Sequence, residues 1–306
     1  EEMARAAQAM SSTVTKTLPG SMLRLHAARC LALLGPEAHA GLPGLVYILE
    51  SPTKEPSWEI RQAVAAALGR IGAPLYEDPP AVPPPAGAPP TPPKLRRPVS
   101  KTAMDKLAFV LLSDPSSGVR MEAVQALLIL GPPHADPLKK EDYKAVAKPY
   151  IEAVGKRIKE EKEDGIRVWL YLLAMMYNGE SFKENLAHLS GYLNGSDQAM
   201  RLNALAALSV LGPNMPEDTF LQVRDMLLHR DPETVAAAMS CLVAAGDLGR
   251  KALPELERFA PPAEFPKDVQ ERLKKLADEA VKAIKTIPAE EKPKDVKKDG
   301  PPPPKK

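Results

Sequence analysis

The sequence predicts an all-α chain of helical hairpins stacked into a solenoid. Three observations carry the prediction: a recurring arginine-to-glycine interval, an apolar stripe in register with it, and a second helix ahead of most copies. Arg24 lies eleven residues before Gly35, and the same interval separates Arg61 from Gly72, Arg120 from Gly131 and Arg201 from Gly212. Arg167 to Asn178 keeps it, asparagine being the other residue that tolerates a left-handed helix cap, and a weaker copy sets Val235 eleven before Gly246. Six helices are therefore expected to end at one distance from a common position.

Within this frame the third position is Ala27, Val64, Ala123, Leu170, Ala204 and Ala238, and the sixth is Cys30, Ala67, Ala126, Leu173, Ala207 and Cys241. The seventh is Leu31, Leu68, Leu127, Ala174, Leu208 and Leu242; the tenth is Leu34, Ile71, Leu130, Tyr177, Leu211 and Ala245. Such offsets trace one stripe on a helix of 3.6 residues per turn. Small residues at the third and sixth positions let a neighbouring helix approach, and the leucines supply interlocking bulk. One amphipathic helix cannot bury this face, whereas a stack of copies can.

The helix ahead of each copy is marked by proline near its start, as in Leu42, Pro43, Leu45, Ile48; Pro149, Ile151, Val154, Ile158; and Leu253, Pro254, Leu256. Pro43 lies 18 residues before Arg61 and Pro149 lies 18 before Arg167, so Pro254 predicts a last copy around Arg272 with its second helix near 265–286. Less regular first helices are expected near 4–15, 101–112, 182–193 and 217–228. The frame advances by 37, 59, 47, 34 and 34 residues; the long steps contain insertions, leaving a unit near 35 to 40.

Ten of the 21 residues in 78–98 are proline, which has no amide hydrogen to complete a helix. The expected organisation is repeats over 1–77, a proline-rich insertion over 78–98, further repeats over 99–287 and a disordered Pro/Lys-rich tail over 288–306.

This frame resembles the HEAT-repeat proteins, and most of all the short bacterial repeats also named for phycobilisome lyases. The resemblance rests on Asp114, Pro115, Val119, Arg120, Ala123, Ala126, Leu127, Leu130 and Gly131, and on Met200, Arg201, Ala204, Ala207, Leu208, Leu211 and Gly212. It covers roughly residues 4–286 and implies a right-handed superhelix of six or seven hairpins. It also implies a structural role for the phased arginines; each stands where it can pair with an acidic residue in the preceding turn, such as Asp114, or pack its stem between repeats, the alternative being an anion-binding ladder. Because the family includes scaffolds, adaptors and chromophore lyases, an enzyme with a spatially assembled pocket is the alternative to a protein-binding scaffold.

Chemistry-bearing motifs are sparse. Lys plus Arg is 41 and Asp plus Glu is 39, a net charge of +2 that gives no electrostatic case for specific nucleic-acid binding. His26, His39, His134, His188 and His229 share no ligand spacing and have no HExxH or CxxC context, and no GxSxG elbow or constrained cysteine–histidine pattern occurs, so no catalytic, metal or cofactor residue is assigned. Cys30 and Cys241 are expected as small buried thiols, and the run Glu160, Glu161, Glu163, Asp164 as a solvated helix end. No stretch is apolar enough for a membrane span, and the start at Glu1 leaves a cytoplasmic chain or one exported after leader removal equally open. In the fourth copy Trp169 stands two places after the arginine, where other copies carry His26, Glu122 and Asn203. Trp169 is expected to repair an irregular repeat junction, the alternative being that these four residues form a contact for a protein or peptide partner.

Overall fold

The computed structural model describes residues 2–76, 95–132 and 142–287. They fold as stacked helical hairpins divided between two compact units, Glu1–Gly191 and Tyr192–Lys306. The first contains α1 (Glu2–Lys16), α2 (Met22–Leu34), α3 (Leu42–Ile48), α4 (Trp58–Gly72), α5 (Lys101–Ser113), α6 (Ser117–Leu130), α7 (Tyr143–Glu160) and α8 (Asp164–Tyr177). α9 (Phe182–Leu193) spans the division, and the second unit continues with α10 (Gln198–Leu211), α11 (Glu217–Asp225), α12 (Pro232–Ala244), α13 (Leu253–Glu257) and α14 (Lys267–Thr286).

Four of the second helices start where a polar side chain meets an orphan amide. The side chains of Ser21, Ser57, Asp197 and Asp231 accept from first-turn amides of α2, α4, α10 and α12. The helices end where a left-handed residue is available: Gly35, Gly131 and Gly212 have φ of 58°, 73° and 53°. Two expected caps differ. Gly72 is the last residue of α4 and not a left-handed cap; a Cβ there would lie 2.6 Å from that of Ala103, so its role is close packing. Asn178 is extended, with φ −136°, and its side chain accepts from the Glu180 amide to start the next turn. Pro43 and Pro254 occupy first turns as expected, but Pro149 lies inside α7, which begins at Tyr143.

In the first unit α1 pairs with α2, α3 with α4, α5 with α6 and α7 with α8, while α2, α4, α6 and α8 lie side by side. In the second, α11 pairs with α12 and α13 with α14, and α10, α12 and α14 lie side by side. The third, seventh and tenth positions fill the cores, with Val64, Ala123, Leu68, Leu127, Ile71 and Leu130 all buried. The sixth position faces the preceding second helix: a Cβ at Gly69 of α4 would sit 2.7 Å from that of Ala126 in α6. No described second helix precedes α2, so Cys30 is exposed, contrary to expectation, whereas Cys241 is buried. Burial pushes the Cys241 thiol up to about 12.

The expected proline-rich insertion lies outside the described residues from 77 to 94, as does the tail from 288 to 306. Its last residues are structured. Strand β1 (Leu75–Tyr76) pairs antiparallel with β2 (Leu95–Arg97), and the Arg97 guanidinium donates to the carbonyls of Pro36 and Ile71. Residues 95–97 thus belong to the packed unit, with Arg97 closing the carbonyl end of α4 and the turn that follows α2.

Candidate partner-binding face

The phased arginines are buried structural ties in four copies. Arg61 donates Nε to Oδ2 of Asp114 at 2.8 Å and Nη2 to Oδ1 at 3.0 Å, while Nη1 reaches the carbonyls of Glu55 and Pro56. Arg120 repeats the arrangement, with both Glu161 oxygens at 2.9 Å and the carbonyls of Asp114 and Pro115. Arg24 meets Glu55 at 2.9 Å and the Lys54 carbonyl. This corrects the expected pairing: the carboxylate comes from the turn of the following repeat, the preceding turn gives Arg61 and Arg120 only backbone carbonyls, and Arg24 takes its carbonyl, Lys54, from the following turn as well. The carboxylate stands six residues before the next frame arginine, at Glu55, Asp114 and Glu161.

Glu161 is accordingly no solvated helix end. Its side chain is buried between Arg120 and Arg157. Burial alone pushes its carboxyl up, but hydrogen bonds from Arg120, the Glu163 amide and Arg157 outweigh that and hold it at about 2. At the same offset the later copies carry Gly195 and His229. Arg201 instead donates to the Gly195 carbonyl at 2.7 Å and to the Thr234 hydroxyl at 3.3 Å, and that hydroxyl donates to Asp231 at 2.5 Å. Arg167 is half-exposed and pairs locally with Asp164.

With that row spent on packing, the side chains left outward on the second helices are those two, five and nine places after the frame position. In the first unit these are His26, Arg29 and Leu33 on α2; Ala63, Ala66 and Arg70 on α4; and Glu122, Gln125 and Ile129 on α6. Leu33 is 80% exposed and Ile129 52%, large apolar groups with no core to join. Between α2 and α4 lies a groove of about 570 Å³ lined by Arg29, Leu33, Trp58, Gln62, Arg70 and Glu122, among others. Trp58, 48% exposed, lies against Gly118 at the head of α6. Glu122 accepts from Gln62 at 3.4 Å.

Of the four candidate contact residues, Glu122 therefore lines a groove and His26 is exposed. Trp169 is half-buried, packed against the core. Asn203 is half-buried in the second unit. Trp58 escaped notice in the sequence because it stands three places before the frame arginine, ahead of the positions compared between copies and off the line of the outward stripe. The unusual aromatics of the fourth copy have structural partners. Tyr177 donates to the Leu127 carbonyl at 3.1 Å, Tyr143 to the Tyr177 carbonyl at 3.3 Å, and the Tyr171 and His188 rings stack at 4.7 Å.

The second unit has a groove of about 600 Å³ lined by Arg224, Leu228, Glu255, Arg258 and Phe259, among others. Arg224 is answered there by Glu255 at 3.3 Å. Among the described residues no three His, Cys, Asp or Glu are placed to hold a metal ion, and no helix is long and apolar enough to cross a membrane.

No family model matches the chain, and no curated protein matches it. Solved structures similar to it are distant. An engineered protein is 17% identical over 92% of this chain and 69% of its own, with a TM-score of 0.42. The complex of CpcE and CpcF of phycocyanin lyase from Nostoc sp. is 16% identical over 90% and 94%, with a TM-score of 0.45. Human deoxyhypusine hydroxylase in complex with glycerol is 18% identical over 92% and 97%, with a TM-score of 0.30.

Proposed function

We propose that the protein is a noncatalytic scaffold that binds another protein or a peptide through the outward faces of its second helices. The observation that carries this reading is the division of labour on each helix: inward positions are filled and buried arginines neutralised, while Leu33, Trp58 and Ile129 stay exposed in one unit. Scaffold binding needs a broad surface with a few apolar anchors and no enclosed pocket. Trp169, Glu122, Asn203 and His26 are the contact residues proposed from the repeat frame; Trp58 and Leu33 join them from the geometry.

The second reading is a lyase-like or other enzyme with a pocket assembled in the solenoid. The similar structures that carry an activity in their description, a lyase and a hydroxylase, fall on that side. Their TM-scores of 0.45 and 0.30 bring no chemistry to this chain. Catalysis would call for convergent polar groups in a cavity, whereas the α2–α4 groove is walled mainly by apolar groups and its carboxylates are already hydrogen-bonded.

The test is recovery of a native partner by affinity capture, small-molecule analysis of the recovered material, and paired measurements on Trp169→Ala. The scaffold reading expects a stoichiometric protein partner whose affinity falls by about 1–3 kcal/mol in the variant, with the helical content unchanged. A bound small molecule that the protein converts, with no protein partner, would replace this reading by the second one. Unchanged affinity with a large loss of stability would assign Trp169 to the repeat junction and remove it from the contact set.

A further inference from the structure

The α2–α4 groove also carries a charge asymmetry that specifies the partner's chemistry, and the inference drawn from it rests on the scaffold reading. Its apolar surface comes from Leu33, Trp58 and the small side chains of Ala63 and Ala66, which leave a trough between the two helices. Its carboxylates, Glu59 and Glu122, lie toward the amino-terminal ends of their helices, and both are engaged: Glu59 accepts from the Ser57 hydroxyl at 2.7 Å and Glu122 from Gln62. Its guanidiniums, Arg29 and Arg70, stand five and nine places after their frame positions, toward the other end.

These two differ from every other described arginine of the first unit. Arg24, Arg61, Arg96, Arg97, Arg120, Arg157 and Arg167 each have a hydrogen bond or ion pair, and Arg5 also has a partner. Arg29 and Arg70 have neither among the described residues, and both line the one groove. The helix dipole accounts for a cation in the last turn of α4, where Arg70 stands, but not for Arg29 in the body of α2. Glu59 and Glu122, held only by neutral donors, keep their charge at one end of the groove, while at the other end the guanidinium donors of Arg29 and Arg70 stand beside exposed apolar surface without a partner among the described residues. In the second unit's groove Arg224 is paired with Glu255, while Arg258 has no side-chain hydrogen bond or ion pair among the described residues and stands there as a single guanidinium, not as one of two.

We propose that this groove holds a peptide segment of a partner protein in which acidic side chains sit next to bulky apolar ones. The carboxylates meet Arg29 and Arg70, for which a planar guanidinium offers paired donors. The apolar side chains fill the trough against Leu33 and Trp58. At about 570 Å³ the trough is of the size that takes side chains rather than a folded surface.

The test is selection of a random peptide library on the full-length protein, followed by affinity measurements of the selected peptides, labelled with fluorescein, on wild type and on the double variant Arg29→Glu, Arg70→Glu. Selected peptides are expected to place Asp or Glu beside Leu, Ile, Phe or Trp. The double variant is expected to bind them at least about tenfold more weakly with its thermal unfolding unchanged, and peptides with Lys in place of the acids are expected to recover affinity for it. Enrichment of basic or uncharged peptides, no enrichment at all, or affinities unmoved by the double variant would overturn the inference. So would equal binding of an acidic oligonucleotide, because the apolar half of the recognition would then be idle. Peptides that bind but respond only to Trp169→Ala would leave the scaffold reading standing and remove this groove from it.

Discussion

Arg120 and Arg201 hold the same place in their helices, are both buried, and solve one problem in two ways. Arg120, in the first unit, faces a carboxylate from the next repeat and binds it with two donors. Arg201, in the second, is met by a carbonyl and a hydroxyl, and the nearest carboxylate, Asp231, lies one hydrogen bond further on. A buried guanidinium requires acceptors but not one particular acceptor. The difference shows that the frame arginine is a fixed packing element, while the residue six places ahead of the next one decides how charged the junction is. Both solutions consume the two arginines internally and leave neither free for an anion-binding ladder.

The comparison breaks most sharply if one partner is removed. Asp114→Ala leaves Arg61 charged and buried without its carboxylate, with only the Glu55 and Pro56 carbonyls as acceptors, and is expected to cost about 3–5 kcal/mol in denaturant unfolding. Thr234→Val, at the second unit's junction, removes a neutral intermediary and is expected to cost about 1–3 kcal/mol. Equal losses would mean that the two junctions do not differ in the way their bonding indicates.

Acid sharpens the same contrast. The Glu161 carboxyl titrates at about 2 in the folded chain against an ordinary 4.5, so the unfolded chain binds the proton more readily. Its contribution, on the order of 3 kcal/mol, is complete above about pH 4.5 and is lost as pH falls toward 2. Hydrogen exchange along the full chain should therefore show α6 and α8 losing protection through that window. In Glu161→Gln this acid-dependent loss should be absent, and its persistence there would assign the acid response elsewhere.

A smaller effect separates strand β2 from the proline-rich sequence before it. Arg97→Ala removes a charged donor from the carbonyls of Pro36 and Ile71 and is expected to cost about 1.5–3 kcal/mol. Replacing residues 77–94 by a short flexible link is expected to change stability by less than about 1 kcal/mol, because closure entropy varies slowly with loop length. Thermal unfolding followed by circular dichroism distinguishes them; collapse of the flanking helices on deletion would make the loop itself a packing element.

The helices were legible because their apolar positions repeat every three or four residues and their ends are marked by Ser, Asp and Gly, both properties of short windows. That legibility extended to α14, predicted near 265–286 and found at Lys267–Thr286. Contacts across repeats were not. Arg61 and Asp114 are 53 residues apart with the proline-rich stretch between them, and nothing local distinguishes that aspartate from one serving its own arginine. Glu161 was hidden inside a charged run that resembles a solvated end; only its offset from Arg167, matching Glu55 and Asp114, sets it apart. The candidate face was half legible. The row of His26, Glu122 and Trp169 emerged from the frame, but Trp58 lay one turn outside it and the unpaired state of Arg29 and Arg70 exists only in three dimensions. Cys30 failed for the opposite reason: its pattern was right, but no neighbouring helix covers it.

The central claim, that the outward stripe serves binding and not stability, is tested most directly at Leu33. Leu33→Glu places a charge where the side chain is 80% exposed. The account predicts unfolding free energy within about 0.5 kcal/mol of wild type together with at least about a tenfold loss of affinity for the captured partner. Full affinity with unchanged stability would contradict it, as would a loss of binding that merely follows a loss of fold.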